Sequence, residues 1–158
     1  DPFCEELRAV VIGAAREAGA KLHAGGTYIC MEGPLFSTRA ESNFYRDAVG
    51  AAVIGMTALP EAKLAREAEM CYAMLAMGTD YDCWHEDEED VTIDQVLVVM
   101  KANGALANRI VAEVASRLPA ESDCECLSAA QYAIVTDRAA IPKEAKERLR
   151  VLYGKYLD

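Results

Sequence analysis

Hydrophobic and polar residues follow two different spacings along the first half of the chain. From Glu5 to Ala18 apolar residues recur on one helix face, which predicts an amphipathic helix. Thr27 to Met31 is a run rich in β-branched and aromatic residues, which predicts a strand. The two patterns repeat as a helix over Thr38 to Arg46, a buried strand over Ala51 to Met56 and a helix from Pro60 to Met70. Strands that alternate with helices indicate a domain of the α/β class.

The second half of the chain continues with one more strand and two more helices. Cys71 to Met77 is an unbroken apolar run, which is typical of a strand buried on both faces. Thr92 and Gln95 have the spacing of a capping box, so a helix is predicted to begin there and to end near Leu118. The last helix is predicted over 142–156. Because no repeat or linker divides the 158 residues, we expect a single domain over 1–158.

Composition and charge exclude several classes of function. The net charge of −10 argues against a sequence-independent grip on nucleic acid, which needs clustered lysine and arginine. No apolar run approaches the ~18 residues that span a bilayer, and the chain opens on Asp1-Pro2 without a basic and then apolar signal segment. We therefore expect a cytoplasmic protein without membrane or nucleic-acid partners. The lack of an initiator methionine suggests that something was removed from, or never included at, the N-terminus.

Six cysteines require an explanation in such a protein. Four of them lie beside apolar or aromatic residues, where cysteine is usually an inert small hydrophobe: Cys4, Cys30, Cys71 and Cys83. Cys124 and Cys126 form a Cys-x-Cys in a polar loop, which favours a local disulfide or a metal site. A zinc site normally needs wider spacing and two further ligands, and among the histidines only His23 and His85 are present, so we expect no metal. A disulfide in the cytoplasm is typical of hyperthermophiles, and the scarcity of side-chain amides also suits a thermophile.

Three loops follow predicted strands, and open α/β sheets place their ligands at such strand ends. The loops are 33–42, 55–57 and 79–84. Asp80 and Asp82 are the most informative residues, because burial and mutual repulsion favour a carboxyl that keeps a proton for a leaving group. The alternative is an ordinary surface turn, in which aspartate is common.

Other residues of these loops have both a functional and a structural interpretation. Phe36 can stack on a flat ligand or anchor the core, and Thr57 can bind a ligand or simply cap the next helix. No Walker loop, G-x-G-x-x-G, G-x-S-x-G or H-E-x-x-H is present. The residues alone therefore indicate an α/β domain with a small-ligand site.

The same loops resemble the family that contains the 5′-methylthioadenosine phosphorylases and the trimeric purine nucleoside phosphorylases. The resemblance is carried by three motifs in the same order: Met31-Glu-Gly-Pro-Leu-Phe-Ser-Thr-Arg-Ala-Glu-Ser42, Gly55-Met-Thr-Ala-Leu-Pro-Glu-Ala-Lys-Leu-Ala-Arg-Glu-Ala68 and Ala76-Met-Gly-Thr-Asp-Tyr-Asp-Cys-Trp-His85. It covers most of residues 1–115. It implies the C-terminal part of a nucleoside phosphorylase-type fold, with a mixed central sheet flanked by helices, that assembles as a trimer or hexamer.

The family's functional residues map onto the matching positions. The resemblance implies that Phe36 stacks on the purine, that Ser37 lies by its Watson–Crick edge, and that Asp80 and Asp82 face N7 and the exocyclic group. It also implies that Met56 contacts the ribose and Thr57 contributes to the phosphate site. The expected lining of the 5′-methylthio pocket is Ile93, Val96 and Leu97, whose one-face spacing also fits an ordinary core stripe.

The implied reaction is phosphorolysis of 5′-methylthioadenosine to adenine and 5-methylthioribose 1-phosphate, with phosphate as co-substrate and no cofactor. Family members that take 6-oxopurines carry Glu where Ser37 stands and Asn where Asp80 stands, so both positions here favour adenine. The Cys124-x-Cys126 pair resembles a disulfide of archaeal members.

Family members are nearly twice this length, and their N-terminal half supplies the phosphate loop and part of the ribose site. We therefore expect the chain to be inactive alone, to have exposed sheet edges, and to need an N-terminal half, for which a separate chain is one source. Three alternatives stay open: a phosphorylase of broader 6-aminopurine specificity, a non-catalytic purine-binding or assembly fragment, and a metal-binding module built on Cys124 and Cys126.

Overall fold

The computed structural model describes residues 2–84 and 93–157. Within them the chain forms five α-helices and two strands in an α/β arrangement. In chain order these are α1 (Glu5–Glu17), β1 (Thr27–Cys30), α2 (Arg39–Asp47), β2 (Ala51–Gly55), α3 (Ala58–Glu67), α4 (Ile93–Arg117) and α5 (Lys143–Leu157), with short 3-10 turns at Glu125–Ser128 and Arg138–Ala140. All five predicted helices are confirmed, with ends that agree to within a few residues. The predicted capping box lies partly outside the described residues, because Thr92 is not among them.

Local signals explain where the first two helices begin. The Cys4 side chain accepts a hydrogen bond from the Leu7 amide at the start of α1. At the start of α2, Thr38 and Glu41 form a capping box, in which each side chain accepts from the other residue's backbone N–H. Such caps satisfy N–H groups that have no partner inside the helix.

The sheet consists of β1 and β2, which pair in parallel. Ile29 lies opposite Ile54 and Cys30 opposite Gly55, so the carboxyl ends of both strands reach the same edge. Both strands are edge strands within the described residues, as expected. The pairing is parallel throughout this sheet, so the mixed pairing implied by the resemblance is not found in the described part of the chain.

The prediction of a strand over Cys71 to Met77 is wrong in the structure, because this segment has no strand pairing. One of its backbone groups, the Tyr72 carbonyl, accepts a hydrogen bond from the Cys4 amide at 2.8 Å. Residues 73–77 border two clefts whose other walls include Tyr28 and Val53 of the sheet. The segment therefore runs beside the sheet without a strand close enough to share a ladder of hydrogen bonds.

The core of the described residues is small and built largely from small side chains. Ala14 and Ala15 of α1 pack against Ile110 of α4, and all three are almost fully buried. Larger apolar residues surround this cluster only partly buried: Leu22, Leu75, Leu106 and Val114. This core therefore lies between α1 and α4.

A buried carboxylate ties α3 to the end of the chain. Glu69 is 9 % exposed and accepts hydrogen bonds from the Ala130 amide at 3.0 Å and the Tyr156 hydroxyl at 2.6 Å. It also forms an ion pair with Lys155. Because each of these donors comes from the C-terminal region, Glu69 fixes α5 against the turn that follows α3.

Among residues 2–84 and 93–157, no helix has the combination of length and apolar character that crossing a membrane requires.

Candidate functional site

The first two predicted ligand loops meet at the carboxyl edge of the sheet. The Met31 amide donates to the Gly55 carbonyl at 2.9 Å, which continues the pairing of β1 and β2 into the loops. Gly33 has φ of +71°, and a Cβ at this position would lie 2.1 Å from Cε of Met56. Only glycine leaves room for this contact, so the Met56 side chain lies directly against the first loop. Ser37 joins the same cluster through its hydroxyl, which donates to the Met31 sulfur at 3.4 Å.

The third loop is joined to the first by a partly buried hydrogen bond. Ser42 of α2 is 1 % exposed, and its hydroxyl donates to Oδ2 of Asp82 at 2.5 Å. The other carboxylate oxygen of Asp82 accepts from the Cys83 amide at 2.8 Å. The Cys83 thiol in turn donates to the Ser37 carbonyl oxygen at 3.7 Å. Ser37, Met56 and Asp82 therefore surround one region at the end of the sheet.

The two aspartates of the third loop differ in environment. Asp80 is exposed, and Oδ1 accepts a hydrogen bond from the Thr79 hydroxyl at 3.3 Å. Asp82 is half-buried and fixed by two donors. The burial expected from sequence is therefore wrong for Asp80 and partly met by Asp82. Asp80 has the accessible carboxyl, and Asp82 is the one that holds the loop in place.

Phe36 and Thr57 are both open to a ligand. The Phe36 side chain is 81 % exposed, so the interpretation of it as a core anchor is wrong. Thr57 precedes α3, yet within the described part of the chain its side chain makes no capping hydrogen bond. Because its hydroxyl is not used to cap the helix, the simple capping interpretation of Thr57 is also wrong.

The apolar residues at the start of α4 lie at the surface of the described structure. Ile93 is 79 % exposed and Leu97 is 55 % exposed, whereas Val96 is half-buried. The core-stripe interpretation is therefore wrong for the first two. Further along α4, Asn103 donates from Nδ2 to the Gly78 carbonyl at 2.9 Å, which ties the helix to the start of the third loop.

Two clefts separate the sheet from the segment before the third loop. The larger has a volume of about 1220 Å³ and is bordered by Asp80 together with apolar residues of α1 and α4. The smaller, of about 480 Å³, is bordered by Met56 and Thr57. Three predicted site residues therefore border these clefts, Asp80 the larger and Met56 and Thr57 the smaller, and Tyr28 and Val53 of the sheet border both.

Two residues of this region were missed by the sequence analysis. Ser42 lies within the first motif, but nothing in the sequence indicates that it is buried against Asp82. Tyr28 lies against β2, since a Cβ on Gly55 would lie 1.9 Å from its hydroxyl oxygen. Burial raises the pKa of the Tyr28 phenol, which stays protonated at the end of the sheet. Gly55 is opposite Cys30, and a glycine inside a predicted strand, which often marks the close approach of another group, is the signal that points to this contact.

The cysteines are arranged differently from the expectation. All six thiols are free in the structure, so Cys124 and Cys126 do not form the expected disulfide. Their sulfur atoms and those of Cys4 and Cys71 all lie within 4.8 Å of one another. The premise that only the two histidines could complete a metal site is therefore wrong, and two of the cysteines interpreted as inert belong to a four-thiol cluster.

Comparison with known protein families gives one match over most of the chain. Residues 1–116 match the family model described as the phosphorylase superfamily. Curated relatives cover nearly all of the chain. It is 57 % identical over 157 residues to an S-methyl-5′-thioadenosine phosphorylase of Geobacter sulfurreducens, and 51 % identical over 156 residues to one of Koribacter versatilis. The alignments cover 99 % of this chain but 54 % and 53 % of the two relatives, so the chain spans about half their length.

Solved structures show the same relationship. A methylthioadenosine phosphorylase sourced from an antarctic soil metagenomic library has a TM-score of 0.87 and 41 % identity over 96 % of this chain and 54 % of that chain. A mutant adenosine/methylthioadenosine phosphorylase from Schistosoma mansoni, in complex with methylthioadenosine, has a TM-score of 0.67 and 34 % identity. That match covers 77 % of this chain and 46 % of the other.

Proposed function

The chain belongs to the phosphorylase superfamily, and from this premise we propose that it forms the purine-binding part of a 5′-methylthioadenosine phosphorylase. The proposed reaction converts 5′-methylthioadenosine and phosphate to adenine and 5-methylthioribose 1-phosphate, a step of purine and methionine salvage. No cofactor takes part in it. Phosphate oxygen forms a bond to the anomeric carbon while the bond from that carbon to the purine nitrogen breaks. The electron pair of the broken bond goes to the purine, which takes up a proton.

The chain's own residues have distinct roles in this proposal. Phe36 stacks on the purine, since its exposed ring is available to a flat ligand. Asp80 donates the proton near N7, and Asp82 orients the loop and faces the exocyclic amine. Met56 contacts the ribose, and the free hydroxyl of Thr57 binds phosphate. Proton donation by a positioned carboxyl typically contributes 10²- to 10⁴-fold to the rate.

The observation that carries the proposal is the partly buried hydrogen bond between Ser42 and Asp82. It brings the loop with Asp80 to the loop with Phe36 and Ser37, which are more than forty positions earlier in the sequence. The first two loops already meet through the pairing of β1 and β2, and without this contact the third loop would be a separate surface turn. With it, an aromatic face and a carboxyl lie at the same end of the sheet, as a purine site requires.

We propose that a further part of the fold completes the site, supplied by the same or a separate chain. The relatives are about twice the length covered by the alignments. The larger cleft, between the sheet and residues 73–77, has apolar walls and enough volume for additional strands. The exposed apolar residues at the start of α4 also support a trimer or hexamer in which a second copy covers Ile93 and Leu97. The free thiols fit a reducing cytoplasm.

A broader 6-aminopurine specificity is the second candidate, because one solved relative is named an adenosine/methylthioadenosine phosphorylase. Ser37 and Asp80 recognise the base and do not distinguish the two nucleosides. The side chains that would distinguish them are those near the 5′ position, Ile93, Val96 and Leu97. The ratio of kcat/KM for methylthioadenosine to that for adenosine separates the two candidates.

The test is an adenine-release assay on the chain alone and on the chain combined with the N-terminal half of a close relative. We expect phosphate-dependent release only from the combination. Asp80→Asn should lower kcat/KM for methylthioadenosine by about 10²-fold or more, since an amide cannot donate the proton in the same way. Asp123→Asn, at an exposed aspartate far along the chain, is the matched control and should leave the rate unchanged.

Three results would contradict the proposal in different ways. Equal release without phosphate would rule out phosphorolysis. Adenine binding without release from the combined protein would favour the non-catalytic fragment. Equal rates for Asp80→Asn and Asp123→Asn would remove Asp80 from the reaction and leave the family assignment intact.

A further inference from the structure

Four cysteines from three distant parts of the chain meet in one buried cluster. Cys4 caps α1, Cys71 follows α3, and Cys124 and Cys126 lie at the 3-10 turn near the C-terminal end. Cys4, Cys124 and Cys126 are buried and Cys71 is half-buried. The four sulfur atoms lie within 4.8 Å of one another, with Cys4 and Cys124 at 3.5 Å.

This geometry is close to that of a tetrahedral thiolate site. Zinc–sulfur bonds of about 2.3 Å in a tetrahedron place the sulfur atoms about 3.8 Å apart. The sulfur atoms here therefore need to move by at most about 1 Å to bind one ion, which a rotation about the Cα–Cβ bond supplies. Four sulfur ligands match structural zinc sites, which are closed and have no open coordination position.

We propose that Cys4, Cys71, Cys124 and Cys126 form a structural zinc site that joins the start of α1 to the C-terminal turn. This site is separate from the proposed purine site and does not depend on it. Its role is to fix the packing of segments that are 120 positions apart in the sequence. Metal binding by four ligands contributes directly to the free energy of folding. It would therefore compensate for the small apolar core of the described residues.

The surroundings of the cluster suit thiolate ligands. Cys4 lies at the N-terminus of α1, where its sulfur accepts from the Leu7 amide at 3.4 Å and the helix dipole favours negative charge. Arg66 directs Nη1 toward the Cys126 sulfur at 4.0 Å and offsets part of the negative charge of four thiolates around one Zn²⁺.

The competing outcome is a pair of disulfides built from the same four sulfur atoms. Each would form with the loss of two hydrogen atoms to an oxidant and would leave no thiolate for an ion. The two outcomes differ in the count of free thiols and in metal content, so one sample distinguishes them.

The experiment is a metal and thiol analysis of the protein purified without added reductant and under anaerobic conditions. We expect about one zinc per chain, and alkylation after unfolding should modify all six cysteines. In the Cys124→Ser/Cys126→Ser variant the zinc content should fall to less than about a tenth of this value. Cys83→Ser, at an exposed cysteine outside the cluster, is the matched control and should retain the zinc.

Cobalt replacement tests the site in the unsubstituted protein, so its result does not depend on whether the double variant folds. The unsubstituted protein, stripped of zinc and loaded with Co²⁺, should show the visible absorption of tetrahedral cobalt and a sulfur-to-cobalt charge-transfer band. The proposal is overturned if the purified protein contains no zinc, whether its thiols are free or paired as disulfides. Zinc that stays bound in the double variant, or cobalt spectra without the charge-transfer band, would also overturn it.

Discussion

The hydrogen bond between Ser42 and Asp82 leads to a prediction about both stability and function. Ser42→Ala removes the hydroxyl that donates to Oδ2 of Asp82 at 2.5 Å and leaves the buried position without a polar group. Hydrogen bonds to charged groups contribute about 1.5–3 kcal/mol. Since Asp82 is half-buried and water can replace part of the lost contact, we expect a loss of about 1–2 kcal/mol in the free energy of unfolding.

Ser116→Ala is the matched control for this substitution. Ser116 is also a helical serine, but it is exposed, and its hydroxyl donates to the Glu113 carbonyl at 2.8 Å within the same helix. Because no second element depends on that bond, the control should change the free energy of unfolding by less than about 0.5 kcal/mol. Urea denaturation with an unchanged m-value measures both effects.

A double-mutant cycle with Asp82→Ala isolates the contact itself. We expect a coupling energy of about 1 kcal/mol between Ser42 and Asp82. Adenine release by the chain combined with the N-terminal half of a relative should also fall, because the third loop is no longer fixed. Additivity within about 0.3 kcal/mol would show that the two side chains do not interact in solution. That result would refute the argument that this bond assembles the candidate site.

Two further predictions concern stability alone. Ile110→Ala should lower the free energy of unfolding, measured by urea denaturation, by about 2–3 kcal/mol, which is the low end for a buried isoleucine because the residue borders the larger cleft. The control Val111→Ala, at a position 60 % exposed, should lower it by less than about 0.5 kcal/mol. Equal losses would refute the packing of α1 against α4 through Ile110. Burial raises the pKa of Glu69, but its hydrogen bond to Lys155 and its other donors lower this pKa below the usual 4.5. The stability that ionised Glu69 contributes is therefore present above pH 4.5 and is lost as the pH falls through the lower pKa of the folded state. Glu69→Gln should flatten this acid limb of stability and Glu67→Gln, at an exposed residue, should not; identical pH profiles would contradict the assignment.

The helices could be predicted from sequence because their signals are local. The apolar spacing that predicted α1 and the capping residues that begin α2 lie within one or two helical turns. The segment from Cys71 to Met77 has an equally strong local signal, yet it is not a strand in the structure. A strand needs a partner at hydrogen-bonding distance, and the composition of one segment does not specify where its partner lies.

The meeting of the candidate loops could be predicted from sequence, but not the environment of each residue in them. The loops follow predicted strands, which indicated one end of the sheet, and the structure joins the first two loops there through Met31 and Gly55. The sequence does not distinguish Asp80 from Asp82. In the structure Asp80 is exposed, whereas Asp82 accepts a hydrogen bond from Ser42. This difference depends on a contact forty positions away, which spacing along the chain does not show.

The apolar composition predicts a large core, but the core in the structure is small. An apolar content of 53 % is ample for a sizeable core, yet the buried apolar residues in the described part of the chain are mainly alanine and cysteine. Large side chains such as Phe36, Ile93 and Val98 lie at the surface instead. Because burial of apolar area is the main favourable term in folding, side chains of this size at the surface indicate faces that another part of the fold or another copy covers. Phe36 and Ile93 are also residues of the proposed substrate site, so we infer that the contacts that complete the site also supply part of the missing burial.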